Sequence, residues 1–191
     1  MNYRKIKIKV LHLSYSCDIG GAARASSRIH KSLIKEKIKS RMCIVKSNTI
    51  NLDKSYYFPQ NFFDKDTFKL KIFFLRLIQA FLNNNSQKIT LNILPSNFYK
   101  HINSSNFDII NIHWIGNETI SLEDIEKIKK PILWTMHDMN QFQSLEHYDS
   151  RIKKNIIYKK LDKINFKRKK KLYHKINHFV AVSDWLKKKA I

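Results

Sequence analysis

Three short clusters carry side chains able to do chemistry: Gly20-Gly21, His113-Trp114 and His137-Asp138. Glycine lets a backbone approach a ligand closely, and the first N–H groups of a helix favour an anion such as a phosphate. A merely tight turn between strand and helix would use the same two residues, so both readings stand. The pair is no dinucleotide fingerprint, because a third glycine is missing at the required place, and no P-loop, which needs Gly-Lys-Ser/Thr. His137 could donate a hydrogen bond to a sugar hydroxyl or shuttle a proton, with Asp138 orienting a ligand hydroxyl. A histidine at a strand end is equally at home in a structural role. His113 adds a second imidazole, and Trp114 a flat apolar plate suited to stacking against a sugar or a base. Metal binding lacks support, since there is no i,i+4 histidine pair and no carboxylate at matching spacing. A serine nucleophile lacks its Gly-x-Ser-x-Gly elbow.

These clusters gain meaning from the elements that must hold them. Lys5 to Ser14 (KIKIKVLHLS) alternates and then turns apolar, as a strand entering a core does. Ala22 to Lys37 places Ala22, Ala25, Ile29 and Leu33 at helical spacing, and Arg41 to Lys46 is a short strand. The opening is therefore a strand–helix–strand unit with a right-handed crossover. Residues 48–66 read as a loop. Phe68 to Leu82 (FKLKIFFLRLIQAFL) reads as a short internal core helix, or alternatively as an interfacial membrane helix. Asn83 to Lys88 breaks it, and Pro95 to Ile102 forms another short helix.

Phe107 to His113 and Pro131 to His137 are buried strands. Between them lies a helix from Ser121 to Ile128, with Ser121 as N-cap and Asp124 three residues on. Ile152 to Lys175 is a basic helix or helix pair, Asn177 to Val182 a last strand, and Ser183-Asp184 opens a final helix. Alternating strands and helices predict an α/β fold: a Rossmann-like, doubly wound, mostly parallel sheet with helices on both faces. Ligands of such sheets collect at the carboxyl ends of the strands, where all three clusters fall.

Composition narrows the class. With 37 Lys+Arg against 15 Asp+Glu the 191-residue chain has a net charge of +22, yet 43% of it is hydrophobic, so wholesale disorder is excluded. Three glycines and three prolines argue against a turn-dense all-β fold. Cys17 and Cys43 cannot make a disulfide scaffold or a cysteine zinc site and suggest a reducing, cytoplasmic setting. No secretory signal opens the chain, and no apolar run is long enough to span a bilayer. The charge is uneven: residues 151–175 hold twelve basic residues against one acid, Asp162. A solvated, compositionally driven face and an anion-facing surface are both compatible with that. Nucleic acid is supported by charge alone, without a helix-turn-helix, zinc spacing or an RNP-type strand.

The order of motifs is familiar. KVLHLSYSCDIGGAARASSRIHKSL, then FDIINIHWIGNETISLEDIEKIKKPILWTMHDM, then VAVSDWL resembles the N-terminal half of family 4 glycosyltransferases, nearest the branch that builds bacterial surface polysaccharides. The likeness runs from about Lys9 to Leu186. It implies one half of a GT-B fold, with residues 1–191 as a single acceptor-side domain and the donor-binding C-terminal domain absent from the chain. It also implies retaining transfer from a nucleotide-sugar donor to a glycan or lipid-linked acceptor, with no cofactor and no metal. By resemblance His137 is the catalytic residue and donor-sugar contact, Gly20 and Gly21 form the loop facing the donor phosphates, and Arg24, His113, Trp114 and Asp138 line the acceptor cleft. The implied setting is the inner face of the cell membrane, with 151–175 against anionic lipid and a separate C-terminal domain chain as a further partner. Where the branch continues its His-Asp-Met with Trp-Pro-Phe and a cysteine-bearing insert, this chain has Asn140 to Tyr148 instead. A non-catalytic half-transferase acting as a binding module is the alternative reading.

Overall fold

The computed structural model describes residues 8–49, 53–57, 65–82, 89–149 and 155–191. Lys5–Lys7 of the expected first strand, the 83–88 break, most of the 48–66 loop, and Arg151, Lys153 and Lys154 of the basic stretch lie outside them. The elements run β1 (Lys9–Ser16), α1 (Gly21–Lys35), β2 (Lys39–Lys46), β3 (Tyr56–Tyr57), α2 (Lys65–Phe81), α3 (Phe98–Ser104) and β4 (Ile109–Ile112). Then follow α4 (Leu122–Glu126), β5 (Ile132–Met136), α5 (Ile156–Leu172) with a 3₁₀ turn at Tyr173–Lys175, β6 (His178–Ala181) and α6 (Asp184–Ala190).

All six strands are parallel, in the order β3-β2-β1-β4-β5-β6. The winding reverses between β1 and β4, the switch point at which such sheets open a crevice. Leu11, Leu13, Ile110, Ile112, Ile132 and Trp134 point to one face and pack with Phe98 and Ile102 of α3, Ile125 of α4 and Leu172 of α5. Fully burying each aliphatic side chain there contributes about 1.5–3 kcal/mol. The opposite face carries α1, through Ser27 against Met42 and His30 against His12. Helices thus cover both faces, and the fold is the expected Rossmann-like α/β sheet.

Two expectations need correction. The buried stripe of α1 is Ala23, Ser26 and His30, whereas Ala22, Ala25, Ile29 and Leu33 are only half-buried. The sheet face beneath α1 carries buried His12 and Ser14 and half-buried Ser40 beside Met42 and Ile44, so an apolar-stripe reading selects the wrong positions. The apolar α2 is not an internal helix. Its Leu75 and Leu82 pack with Ile89, Leu91, Leu145 and Tyr158, but Leu70, Phe73, Phe74, Leu77 and Phe81 are exposed.

The basic helix α5 is likewise divided. Arg168 donates twice to Glu123, at 2.7 Å each, and also reaches the carbonyls of Leu91 and Asn92 and the side chain of Asn165. Lys169 is buried and donates to the backbone and side-chain oxygens of Asn140 and to the carbonyl of Ser144. Burial pushes the Lys169 ammonium down to about 7. These two cations staple α5 to the loops beneath it, while Lys159, Lys160, Lys163, Lys167, Lys170 and Lys171 face solvent. Among the described residues, no helix is long and apolar enough to cross a membrane.

Candidate functional site

β1, β4 and β5 end side by side, and an open cleft of about 800 Å³ lies across their carboxyl ends. Gly20 and Gly21 form one wall together with Ala22 and Ala23, while Trp114, His137, Asp138, His147 and Tyr148 line the rest. Gly20 has φ +91°, a conformation L side chains rarely adopt, so glycine is required there by the backbone. Among the described residues no side chain caps α1, and no acidic residue stands in its first turn. The N–H groups of Gly21, Ala22 and Ala23 have no intrahelical acceptor, and these three residues line the cleft, so the start of α1 is a candidate anion site.

The loop before Gly20 is clamped by Asp18. Its carboxylate accepts from Ser16, Ser47 and Thr49 hydroxyls and from the backbone N–H groups of Asn48 and Thr49. Burial works against its ionisation, yet the hydrogen bonds from Thr49, Ser47 and Ser16 outweigh it and hold the carboxyl below its usual range.

The histidines form a row across three strands. Strand alternation sends Leu11, Leu13, Ile110 and Ile112 to the apolar face, so His12 and His113 emerge on the other. Pairing continues past β4, with the N–H of His113 donating to the Leu13 carbonyl and that of Tyr15 to the Trp114 carbonyl. His12 Nδ1 lies 2.9 Å from His113 Nε2, and His113 Nδ1 lies 3.0 Å from His137 Nε2. Thr135 and Asn111 bond to one another at 2.9 Å in the same layer. Burial pushes His12 down to about 3, helped by His30, and holds His113 well below the ordinary imidazole value, helped by His12 and His137. Burial also lowers His137, opposed by Asp138.

Asp138 does not stand free for a ligand hydroxyl. One oxygen accepts from the Trp114 indole N–H at 3.0 Å and from His147 Nδ1 at 2.5 Å, and the other from the Asn140 N–H at 2.9 Å. A carboxylate only accepts, so the proton of this contact sits on His147 Nδ1, and His147 Nε2 lies 2.8 Å from the Thr90 hydroxyl. Asp138 thus fixes the indole plate and the imidazole beside it. The Trp114 ring lies over Gly116, where a Cβ would come within 2.3 Å of it. Neither Gly116 nor His147 stood out in the sequence. The spacing Trp-x-Gly was the available sign of the first, and the second lies in the loop that departs from the resemblance.

Five candidates therefore converge on the cleft itself: Gly20, Gly21, Trp114, His137 and Asp138. His113 stands behind it, wholly buried. Arg24 lines a neighbouring cavity of about 520 Å³ with Asp18, Arg28 and Lys31 rather than the main cleft. Among the described residues, no group of three or more His, Cys, Asp or Glu side chains is arranged to hold a metal ion. Comparison of the chain with protein-family models, curated proteins and solved structures returns no match.

The buried imidazoles make stability depend on pH. A histidine that burial keeps neutral resists a proton that the unfolded chain accepts near pH 6.5, so its contribution is full above that pH and is lost as pH falls. His12, His30, His101, His113 and His137 all shift this way. Moving from pH 7 to pH 5 is expected to cost about 2 kcal/mol for each of the wholly buried His12 and His113 and less for the others, read as a fall in the urea midpoint. An unchanged midpoint would mean that the row is not buried as described.

Proposed function

We propose that residues 1–191 form the acceptor-side half of a glycosyltransferase that moves a sugar from a nucleotide-sugar donor to a glycan or lipid-linked acceptor of the cell surface. The observation that carries this reading is convergence. The glycine turn follows β1, the Trp114 plate follows β4 and His137 follows β5; the first lies in one of the segments that carry the resemblance and the other two in a second, and they meet in one cleft. Each contributes a different part of the chemistry. The uncapped start of α1 suits the phosphates of the donor, whose negative charge grows as the sugar–phosphate bond breaks. The indole, held by Asp138 and packed against Tyr15 and His147, lines the cleft where a sugar ring would stack. His137 sits where it can hydrogen-bond the sugar at the reacting centre. In this reading the domain would supply one wall of a two-walled site, and the nucleotide would be held by a second domain, in the same or a separate chain. Transfer would retain anomeric configuration.

Residues 1–191 alone are therefore expected to give no steady transfer, because one wall can neither exclude water nor orient two substrates. With a nucleotide-holding domain added, His137→Ala is expected to lower transfer by ~10²–10³ while the melting temperature holds. Turnover by residues 1–191 unaided, or full activity of the variant, would contradict this reading. An unfolded variant would make His137 a structural residue.

A lipid-linked acceptor would place the domain at the inner face of the membrane, and one surface fits that setting. The exposed Leu77 and Phe81 of α2 border an apolar groove shared with Ile157 and Ile164 of α5, and the solvent-facing lysines of α5 project beside it. Each lysine near an anionic surface contributes about 1 kcal/mol, over a reach of ~8 Å at physiological salt. Flotation with anionic vesicles, but not neutral ones, is expected, weakening as salt rises. Changing Lys159, Lys163, Lys167 and Lys170 to Gln should abolish it, whereas Arg168 and Lys169 must be spared because they hold the fold. Flotation of the variant equal to wild type would reduce the charge to a solvated face, and complete displacement by stoichiometric DNA would favour nucleic acid.

A further inference from the structure

We propose that His113, itself held by His12, fixes the proton of His137 on Nδ1, so that His137 meets any cleft ligand as a hydrogen-bond donor. The assignment follows from counting protons along the row. Each link between two neutral imidazoles needs one N–H and one lone pair. His113 uses both of its ring nitrogens, one toward His12 and one toward His137. The row therefore has only two proton orders, all N–H groups pointing toward His137 or all pointing away.

The far end of the row decides between them. His12 Nε2 is buried and has no hydrogen-bond partner among the described residues. If the protons pointed away from the cleft, that nitrogen would carry a stranded N–H. If they point toward it, only a lone pair is stranded. Buried N–H groups without an acceptor are the rarer and more costly of the two. The protons therefore run from His12 Nδ1 to His113 Nε2 and from His113 Nδ1 to His137 Nε2. His137 must then hold its own proton on Nδ1, the nitrogen that no protein group among the described residues occupies.

The groups around the row agree with neutrality. His12 is faced by His30, at 5.8 Å between ring centres, and by His113 at 5.2 Å. His113 is faced by His12 and His137, and His137 by Asp138 as its charged neighbour. Among the described residues no carboxylate contacts His12 or His113, so neither has a partner that would favour an imidazolium. The row ends in the protein interior and cannot deliver protons to solvent. It is a device for orientation, not a shuttle, and His12 and His113 are positioning residues. The partner selected in the cleft is an oxygen lone pair, whether of a phosphate or of a sugar. The assignment stands apart from the transferase reading, since it concerns any ligand of His137.

Two-bond ¹⁵N–¹H correlation spectra of the uniformly ¹⁵N-labelled chain at pH 7 report which nitrogen of each ring is protonated, and His137→Asn identifies the signals of that ring. The expected result is Nδ1–H at His12, His113 and His137. Free neutral histidine prefers the Nε2–H form, so the expected pattern is distinct from a default. In His113→Phe, the His137 signals should move to mainly Nε2–H. In His113→Gln, whose amide can still donate to His137 Nε2, Nδ1–H should persist. Nε2–H at His137 in the wild-type chain overturns the proposal whatever the variants do, as does a His137 tautomer that is the same in all three proteins. Failure of His113→Phe to fold leaves the wild-type spectrum to decide.

Discussion

A parallel sheet covered on both faces has no water with which to satisfy a polar side chain, and this sheet carries a polar layer on one of its faces. His12, Asn111, His113 and Thr135 are all buried there. Each must find its partner among the others, because leaving a buried donor or acceptor unpaired costs about 1–3 kcal/mol. The solution is geometric. Thr135 takes Asn111, and the three imidazoles take one another in series, so that β1, β4 and β5 are tied at the ends where the cleft opens. Among the described residues, the group of this layer left over is the far nitrogen of His12.

The rest of the site is arranged around the same end of the sheet by the same economy of polar groups. Asp18 gathers five donors and so pins the turn that presents Gly20. Asp138 gathers Trp114, His147 and Asn140, and Lys169 reaches in from α5 to hold the loop that bears His147. Buried ions are costly unless each is fully paired, so these clusters specify one conformation more than they add stability. Among the described residues, what they leave uncommitted is small and local: the first N–H groups of α1 and one nitrogen of His137. Those are the groups a ligand can use.

Much of the architecture was legible because it depends on strong local signals. The apolar runs ending at His113 and His137 could only be buried parallel strands, and Ser121 with Asp124 marked the start of α4, where the serine does accept from the Asp124 N–H. The placement of Gly20, His113 and His137 at strand ends followed from the same alternation. Other features rest on tertiary pairing that no local pattern encodes. His12 reads as a break in an apolar strand until its neighbour is known to be His113, 101 residues away. Ser26 and His30 look like the outer face of α1 until the sheet beneath proves partly polar. The two-residue β3 is too short to show a period, and α2 has enough apolar residues for a core that it only half enters. Asp138 was recognisable as a residue of the cleft, but not as an anchor whose oxygens are already taken.

The central proposal is that the cleft at the ends of β1, β4 and β5 would face the phosphates and sugar of a nucleotide-sugar donor held by a second domain. The most direct measurement is backbone amide and histidine ring shift mapping as the ¹⁵N-labelled chain, with an unlabelled nucleotide-holding domain added, is titrated with uridine diphosphate-glucose at raised salt. The account predicts saturable changes centred on Gly20, Gly21, Ala22, Ala23 and the His137 ring. Changes confined to the lysines of α5, or none at all with this and other nucleotide sugars, would contradict it.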